Sequence, residues 1–149
     1  MTFKVDKFHF NVSNLKKEDF SLDYFNLLGQ LSEINAEEIL REEFDFFIDN
    51  LSDIHLVKVI KHENLIVGTV TILKELKILH NLKKVGHIED VVIHEKYRGY
   101  GLGKKLIEIA KNECEDCYKI ILNCKDHNIG FYEKCGFVRN NNQMSCYKI

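Results

Sequence analysis

The stretch Val91-Val92-Ile93-His94-Glu95-Lys96-Tyr97-Arg98-Gly99-Tyr100-Gly101-Leu102-Gly103-Lys104 passes from an apolar run into a glycine-containing loop. Beyond it Leu102, Leu106, Ile109 and Ala110 recur at i, i+4, i+7 and i+8, one face of a helix that the spacing ends near Asn112. The loop therefore joins a strand to the N-terminus of an amphipathic helix, where unshared N–H groups and the positive end of the helix dipole attract an anion. Gly101 and Gly103 have no Cβ to hold a diphosphate off the main chain, and Gly99 adds freedom to turn. Arg98 either lies beside the phosphates or caps the loop. Other nucleotide loops do not fit. A P-loop needs Ser or Thr after Gly-Lys, and Gly103-Lys104 is followed by Lys105; the dinucleotide fingerprint Gly-x-Gly-x-x-Gly is absent too.

Upstream, Gly86 to Ile93 reads as a strand fit for burial except for Glu89 and Asp90, which a regular strand would direct to opposite faces. His55 to Lys61 and Leu65 to Leu76 are β-branched-rich and separated by His62-Glu63-Asn64, which predicts an antiparallel hairpin. Apolar residues at helical spacing predict helices over Leu22 to Leu31 and Glu37 to Ile48, the second capped by Asn35. Lys4 to Phe10 alternates as a first strand, with Asn11 to Lys17 as a polar connection. Downstream, Lys119 to Cys124 reads as a strand, Asn128 to Lys134 as a short helix stopped by Gly136, and Gln143 to Ile149 as a terminal strand.

A chain of 149 residues without proline or low-complexity segments fits a single domain spanning residues 1–149. Its composition, 45% hydrophobic and 30% charged, is that of a folded protein. A net charge of −2 supplies no positive field for nucleic acid or an anionic membrane surface, so neither is an expected partner. The apolar runs are too short to span a bilayer and Met1-Thr2-Phe3-Lys4 does not begin a signal peptide, so the expected location is cytoplasmic. The five cysteines, an odd number, are expected to be reduced. Cys114-Glu115-Asp116-Cys117 has redox or zinc-knuckle spacing, but no second pair completes a ligand set; these are expected to be structural thiols, with no metal.

Arg98-x-x-Gly101-x-Gly103 at this junction resembles the signature Arg/Gln-x-x-Gly-x-Gly/Ala of the GNAT superfamily of acyl-CoA N-acyltransferases. Gly86 to Val92, Cys117 to Leu122 and Asn128 to Phe137 resemble the members that act on an amino-sugar phosphate. The resemblance implies an α/β (α+β) fold, a mixed and mostly antiparallel central sheet flanked by helices, with the cofactor entering where two central strands diverge. It implies an acetyl-CoA-dependent N-acetyltransferase that acetylates the 2-amino group of D-glucosamine 6-phosphate, on the route to UDP-N-acetylglucosamine, and a homodimer. Acceptance by a protein amine or another small amine, or a non-catalytic CoA-binding interaction domain, are the alternatives, since the loop itself does not specify the acceptor.

Carried over by position, acetyl-CoA would contact Val91, Val92, Ile93, Arg98, Gly99, Tyr100, Gly101, Leu102, Gly103 and Lys104, then Asn128, Tyr132, Glu133 and Lys134. Ser32, Lys77, His80, Glu89, Asp90, Tyr118 and Lys119 would face the sugar phosphate. Direct attack on the thioester needs no protein nucleophile, so no cysteine takes a covalent role. Tyr132 is the expected proton donor, because a phenol of pKa about 10 can hydrogen-bond a thiolate whose conjugate acid lies near about 8.5. Glu89 would meet the amine or a backbone partner. Asn123 stands where the family commonly has a carboxylate; an amide orients an amine but does not act as a general base. Near the C-terminus Tyr147-Lys148 replaces an arginine expected on the partner subunit's sugar phosphate, and Lys148 is the substitute point charge.

Overall fold

The computed structural model describes residues 1–148. The β-branched runs pair as their pattern predicts: β3 (His55–His62) and β4 (Leu65–Leu76) form an antiparallel hairpin that turns at Glu63-Asn64, with Glu63 at a φ of 53°. The N-terminal segment departs from the single expected strand. It is a hairpin of β1 (Thr2–Val5) and β2 (Phe8–Asn14), reversing at Asp6, whose φ is 52°. The apolar alternation changes phase between Phe3-x-Val5 and Phe8-x-Phe10-x-Val12, and that slip of one residue marks the turn. Phe3 and Phe10 then stack at 5.3 Å, and much of the expected polar connection belongs to β2.

Two helices follow, both shorter than the periodicity predicts. α1 (Leu22–Leu28) opens where the Ser21 hydroxyl accepts from the Tyr24 N–H at 3.2 Å, and Gly29 ends it. α2 (Arg41–Asp49) does not start at Glu37, nor does Asn35 cap it. Asn35 instead closes a separate turn through Glu38 N–H, and the helix begins where Glu43 Oε2 accepts from Leu40 N–H at 3.1 Å. α3 (Leu79–Leu82) is a single turn in which His80, Asn81 and Leu82 all have positive φ, between 55° and 62°. β5 (Lys84–Ile93), α4 (Leu102–Glu113), β6 (Cys117–Leu122) and α5 (Ile129–Lys134) complete the order.

The strands form one six-stranded sheet in the order β1-β2-β3-β4-β5-β6, antiparallel except between β5 and β6, which α4 connects as a parallel crossover. This is the mixed, mostly antiparallel α/β arrangement that the resemblance implied. On one face Leu102, Leu106, Ile107 and Ala110 of α4 pack on Phe10, Ile60, Val70, Ile72 and Ile88. On the other, Tyr24, Phe25 and Leu27 of α1 and Phe44 of α2 cover Val57, Val59, Ile66 and Val92. Gln143 to Lys148 does not form the expected strand: Met144 and Tyr147 stand in solvent and nothing seats the segment on a sheet edge; Ile149 lies outside the described residues. Among the described residues no helix is long and apolar enough to cross a membrane.

Two irregularities of β5 shape the site. Pairing passes from Thr69↔Val92 to Thr71↔Glu89, so Val70 opposes both Asp90 and Val91, a bulge in which Asp90 takes a φ of 50°. Ile88 before the bulge and Val91 and Ile93 after it all join the core beneath α4, whereas Val92 joins the core beneath α1. The strand is therefore not regular at Glu89-Asp90, and the expectation of opposite faces for that pair does not apply. The second irregularity is an opening: the parallel ladder ends at Ile88↔Leu122, and among the described residues no strand pairs with Glu89 to Ile93 on that side.

Candidate active site

The loop after β5 is held from several sides. His94 Nδ1 accepts from Lys96 N–H at 3.2 Å, and Arg98 donates from Nε to the Ile93 carbonyl at 3.3 Å and from Nη2 to Gln30 Oε1 at 2.7 Å. Arg98 is thus a cap on the loop, one of the two roles its position allowed. Gly99 and Gly101 have φ of 85° and 76°, which L side chains rarely adopt. Gly101 is the N-cap of α4, its carbonyl accepts from Lys105 N–H at 3.1 Å, and no side chain caps the helix. The N–H groups of Leu102, Gly103 and Lys104 have no acceptor within the helix. Gly103 has a different reason to be glycine: a Cβ there would stand 3.3 Å from Cζ of Phe131. Its missing side chain is the space in which α5 approaches α4.

Phe8 walls the loop from the N-terminal hairpin, meeting Tyr97 at 5.7 Å and Tyr100 at 5.2 Å between ring centroids. Neither Phe8 nor Phe131 stood out in the sequence. The early phase slip in the aromatic pattern was the available sign for Phe8, and Phe131 lay inside the block that carried the resemblance.

Tyr132 of α5 is half-buried, and burial pushes its phenol above the usual value, with Cys124 and Cys135 adding smaller pushes the same way. The phenol therefore keeps its proton as a hydrogen-bond donor. Asn123 is exposed immediately past the end of β6, where the gap beside Glu89 to Ile93 begins. Asn128 occupies the N-cap position of α5 with no side-chain cap bond, and Glu133 and Lys134 are exposed on the same helix.

Several acceptor-side candidates meet around Tyr118. The His80 ring stacks on it at 4.0 Å and 30°, and the Lys119 ammonium stands 5.8 Å from its centroid. Lys77 is paired to Glu75, whose other oxygen accepts from His87 Nε2 at 2.8 Å. These two partners lower the Glu75 carboxyl below its ordinary value, the Lys77 hydrogen bond most. Glu75 and His87, which carried no signal in the sequence, thus tie Lys77 to β5, and His87 shares a strand face with Glu89.

The remaining candidates are more scattered. Asp90 is exposed and lies near enough to the buried Tyr24 hydroxyl of α1 to raise its pKa. Ser32 is exposed in the segment after α1. Lys148 is exposed near the C-terminus, without an ion pair to the Tyr118 group. Cys114 is buried at the end of α4, and burial pushes its thiol to about 12, which suits packing and not nucleophilic attack.

A helix N-terminus with free amides beside an unpaired strand edge is suited to a ligand that has both a diphosphate and an extended amide-bearing arm. Residues 17–137 match the acetyltransferase (GNAT) family. The chain belongs to the GNAT family. It is similar to the glucosamine 6-phosphate N-acetyltransferase of Arabidopsis thaliana, 39% identical over 93% of this chain and 96% of the relative. It is also 40% identical to glucosamine 6-phosphate N-acetyltransferase 1 of Dictyostelium discoideum, over 87% of this chain and 85% of the relative. The crystal structure of the Arabidopsis thaliana glucosamine-6-phosphate N-acetyltransferase matches with a TM-score of 0.87, covering 93% of this chain and 97% of that one. GNAT acetyltransferases use acetyl-CoA, and the amides of Leu102 to Lys104 and the open edge of β5 fit it.

Proposed function

We propose that this protein transfers the acetyl group of acetyl-CoA to the 2-amino group of D-glucosamine 6-phosphate, as one catalytic unit over residues 1–149. The observation that carries the reading is identity of 39% to the Arabidopsis thaliana enzyme of that name across nearly the whole of both chains. The His80 ring stacked on Tyr118, with the Lys119 ammonium beside that ring, supports the reading in kind.

Acetyl-CoA, when bound, supplies an acyl group activated as a thioester. The free amides of Leu102, Gly103 and Lys104 hold its diphosphate, with Gly99, Tyr100 and Gly101 giving the loop its shape. Val91, Val92 and Ile93 would border the arm along the edge of β5, and Asn128, Glu133 and Lys134 would border it from α5. Tyr132 would donate a proton to the departing sulfur and recover one, through solvent, from the nitrogen, which sheds a proton as the amide forms. On the other side Glu89 and Asp90 bind the sugar's amine and hydroxyls, Lys119 and Lys77 offset the phosphate charge, and Ser32 borders the sugar. Asn123 orients the amine through its side-chain oxygen. Neighbouring oxygens make amino-sugar amines less basic than alkyl amines, so orientation of the neutral form suffices without a general base.

A homodimer completes the proposal. Ile78 and Leu79 beside the Tyr118 group are 86% and 70% exposed, a surface suited to a second copy, from which Lys148 would reach the phosphate. The cytoplasm is the expected compartment. The test is release of free thiol from acetyl-CoA with glucosamine 6-phosphate, glucosamine, polyamines and peptides in turn. Turnover confined to the phosphorylated sugar is expected; turnover with a peptide or polyamine instead would overturn the acceptor.

A further inference from the structure

We infer that Gln30 is a positioning residue that couples the cofactor loop to the acceptor side, so that occupation of one half of the site tightens binding at the other; this rests on the acceptor proposed above. Arg98 precedes the glycine turn directly, and its guanidinium is divided between two partners. Nε is anchored to the Ile93 carbonyl at 3.3 Å, at the end of β5. Nη2 crosses to Gln30 Oε1 at 2.7 Å, on a different element 68 residues away in sequence. Gln30 stands one residue past Gly29, the C-cap of α1, and its N–H is fixed to the Leu27 carbonyl at 3.2 Å.

α1 itself is packed against β4 and β5. Tyr24, Phe25 and Leu27 are buried over the sheet, and the Tyr24 hydroxyl lies 3.5 Å from Oγ1 of Thr69, the residue paired with Val92 beside the Asp90 bulge. The segment carrying Ser32 continues directly from Gln30. The Gln30–Arg98 bond therefore joins two structures that otherwise meet through the sheet: the anion-binding turn and the end of α1.

Both partners are exposed, so without a ligand the bond competes with water and holds the loop weakly. An anion held by the α4 amides fixes the glycine turn, and with it the planar fork of Arg98. The fork in turn fixes Gln30 and the start of the Ser32 segment, so ordering of the acceptor side is already complete when the sugar arrives. Linkage makes the effect reciprocal: the sugar phosphate tightens the cofactor by the same factor.

Calorimetric titration of glucosamine 6-phosphate into the full-length protein, alone and saturated with CoA as an unreactive probe, measures that factor. The wild-type protein should show affinity at least about fivefold higher with CoA, the lower end of usual coupling. Gln30→Ala should reduce the factor below about twofold, and Gln30→Glu, whose carboxylate still accepts from the guanidinium, should restore it. A general loss of stability would not change this ratio selectively. A wild-type protein without coupling, or Gln30→Ala with the full factor, would overturn the inference alone if turnover of glucosamine 6-phosphate is intact. Absence of that turnover in the wild-type protein would overturn the acceptor assignment and this inference together.

Discussion

His80 stacks face to face on Tyr118 with 4.0 Å between ring centroids while its own backbone is left-handed, at a φ of 55°. Neighbouring Asn81 and Leu82 are left-handed as well, and each such non-glycine residue costs roughly 1–2 kcal/mol. A strained turn that presents one ring to another is the pattern of a site held in place by its surroundings.

Replacement of Tyr118 by alanine removes the platform for His80 and the ring beside Lys119. Steady-state kinetics should show the KM for glucosamine 6-phosphate raised roughly 3- to 10-fold, in line with an aromatic pair worth about 0.5–1.5 kcal/mol, with the KM for acetyl-CoA within twofold. An equal rise in both constants would detach the ring pair from the acceptor.

Tyr132→Phe keeps the ring between Phe131 and Phe137 and removes the hydroxyl. Turnover should fall by about 100-fold, a typical contribution of a positioned acid, while acetyl-CoA affinity measured by calorimetry stays close to wild type. Because burial raises this phenol, any alkaline decline in kcat that depends on Tyr132 should lie above the ordinary range for tyrosine and be absent from the phenylalanine variant.

Gly103→Ala places a methyl group 3.3 Å from the Phe131 ring, tight enough that the ring must give by a few tenths of an ångström. The expected result is a KM for acetyl-CoA raised several-fold. Combining it with Phe131→Leu should recover part of the loss; no recovery in the double variant would trace the effect to the phosphate contact and not to the helix packing.

Burial pushes the Tyr24 hydroxyl to about 12, against 10.0 for an ordinary tyrosine. The folded state therefore holds this proton more tightly than the unfolded chain does. Its contribution is complete below about pH 10 and is lost as pH rises through about 12, amounting to on the order of 3 kcal/mol. Urea unfolding of the wild type and Tyr24→Phe across this range should show a shallower alkaline decline for the variant; parallel declines would mean the hydroxyl titrates normally.

The parts of the fold governed by local pattern could be read from the sequence. Leu102, Leu106 and Ala110 announced α4, and the β-branched runs on either side of Glu63-Asn64 announced their hairpin. What stayed hidden depended on how distant residues register. The bulge at Asp90 is invisible in a run of apolar residues, because an extra residue changes no composition. The Glu75–His87 contact requires knowing that β4 and β5 pair with Leu73 opposite His87. Gly103 read as a phosphate position, yet its packing reason lies in Phe131, 28 residues further along. Lys148 and Asn123 could be placed only by likeness to relatives, since an exposed lysine or amide leaves no periodic trace.

The end of the parallel ladder at Ile88↔Leu122 sets stability and activity against each other at one seam. Each further backbone bond between β5 and the residues after Leu122 would strengthen the sheet, and each would zip closed the edge proposed for the acyl donor. A variant selected only for resistance to heat has an inexpensive route here, in β-branched residues at Asn123 and Cys124 that extend the pairing. Such a protein would melt later and work worse.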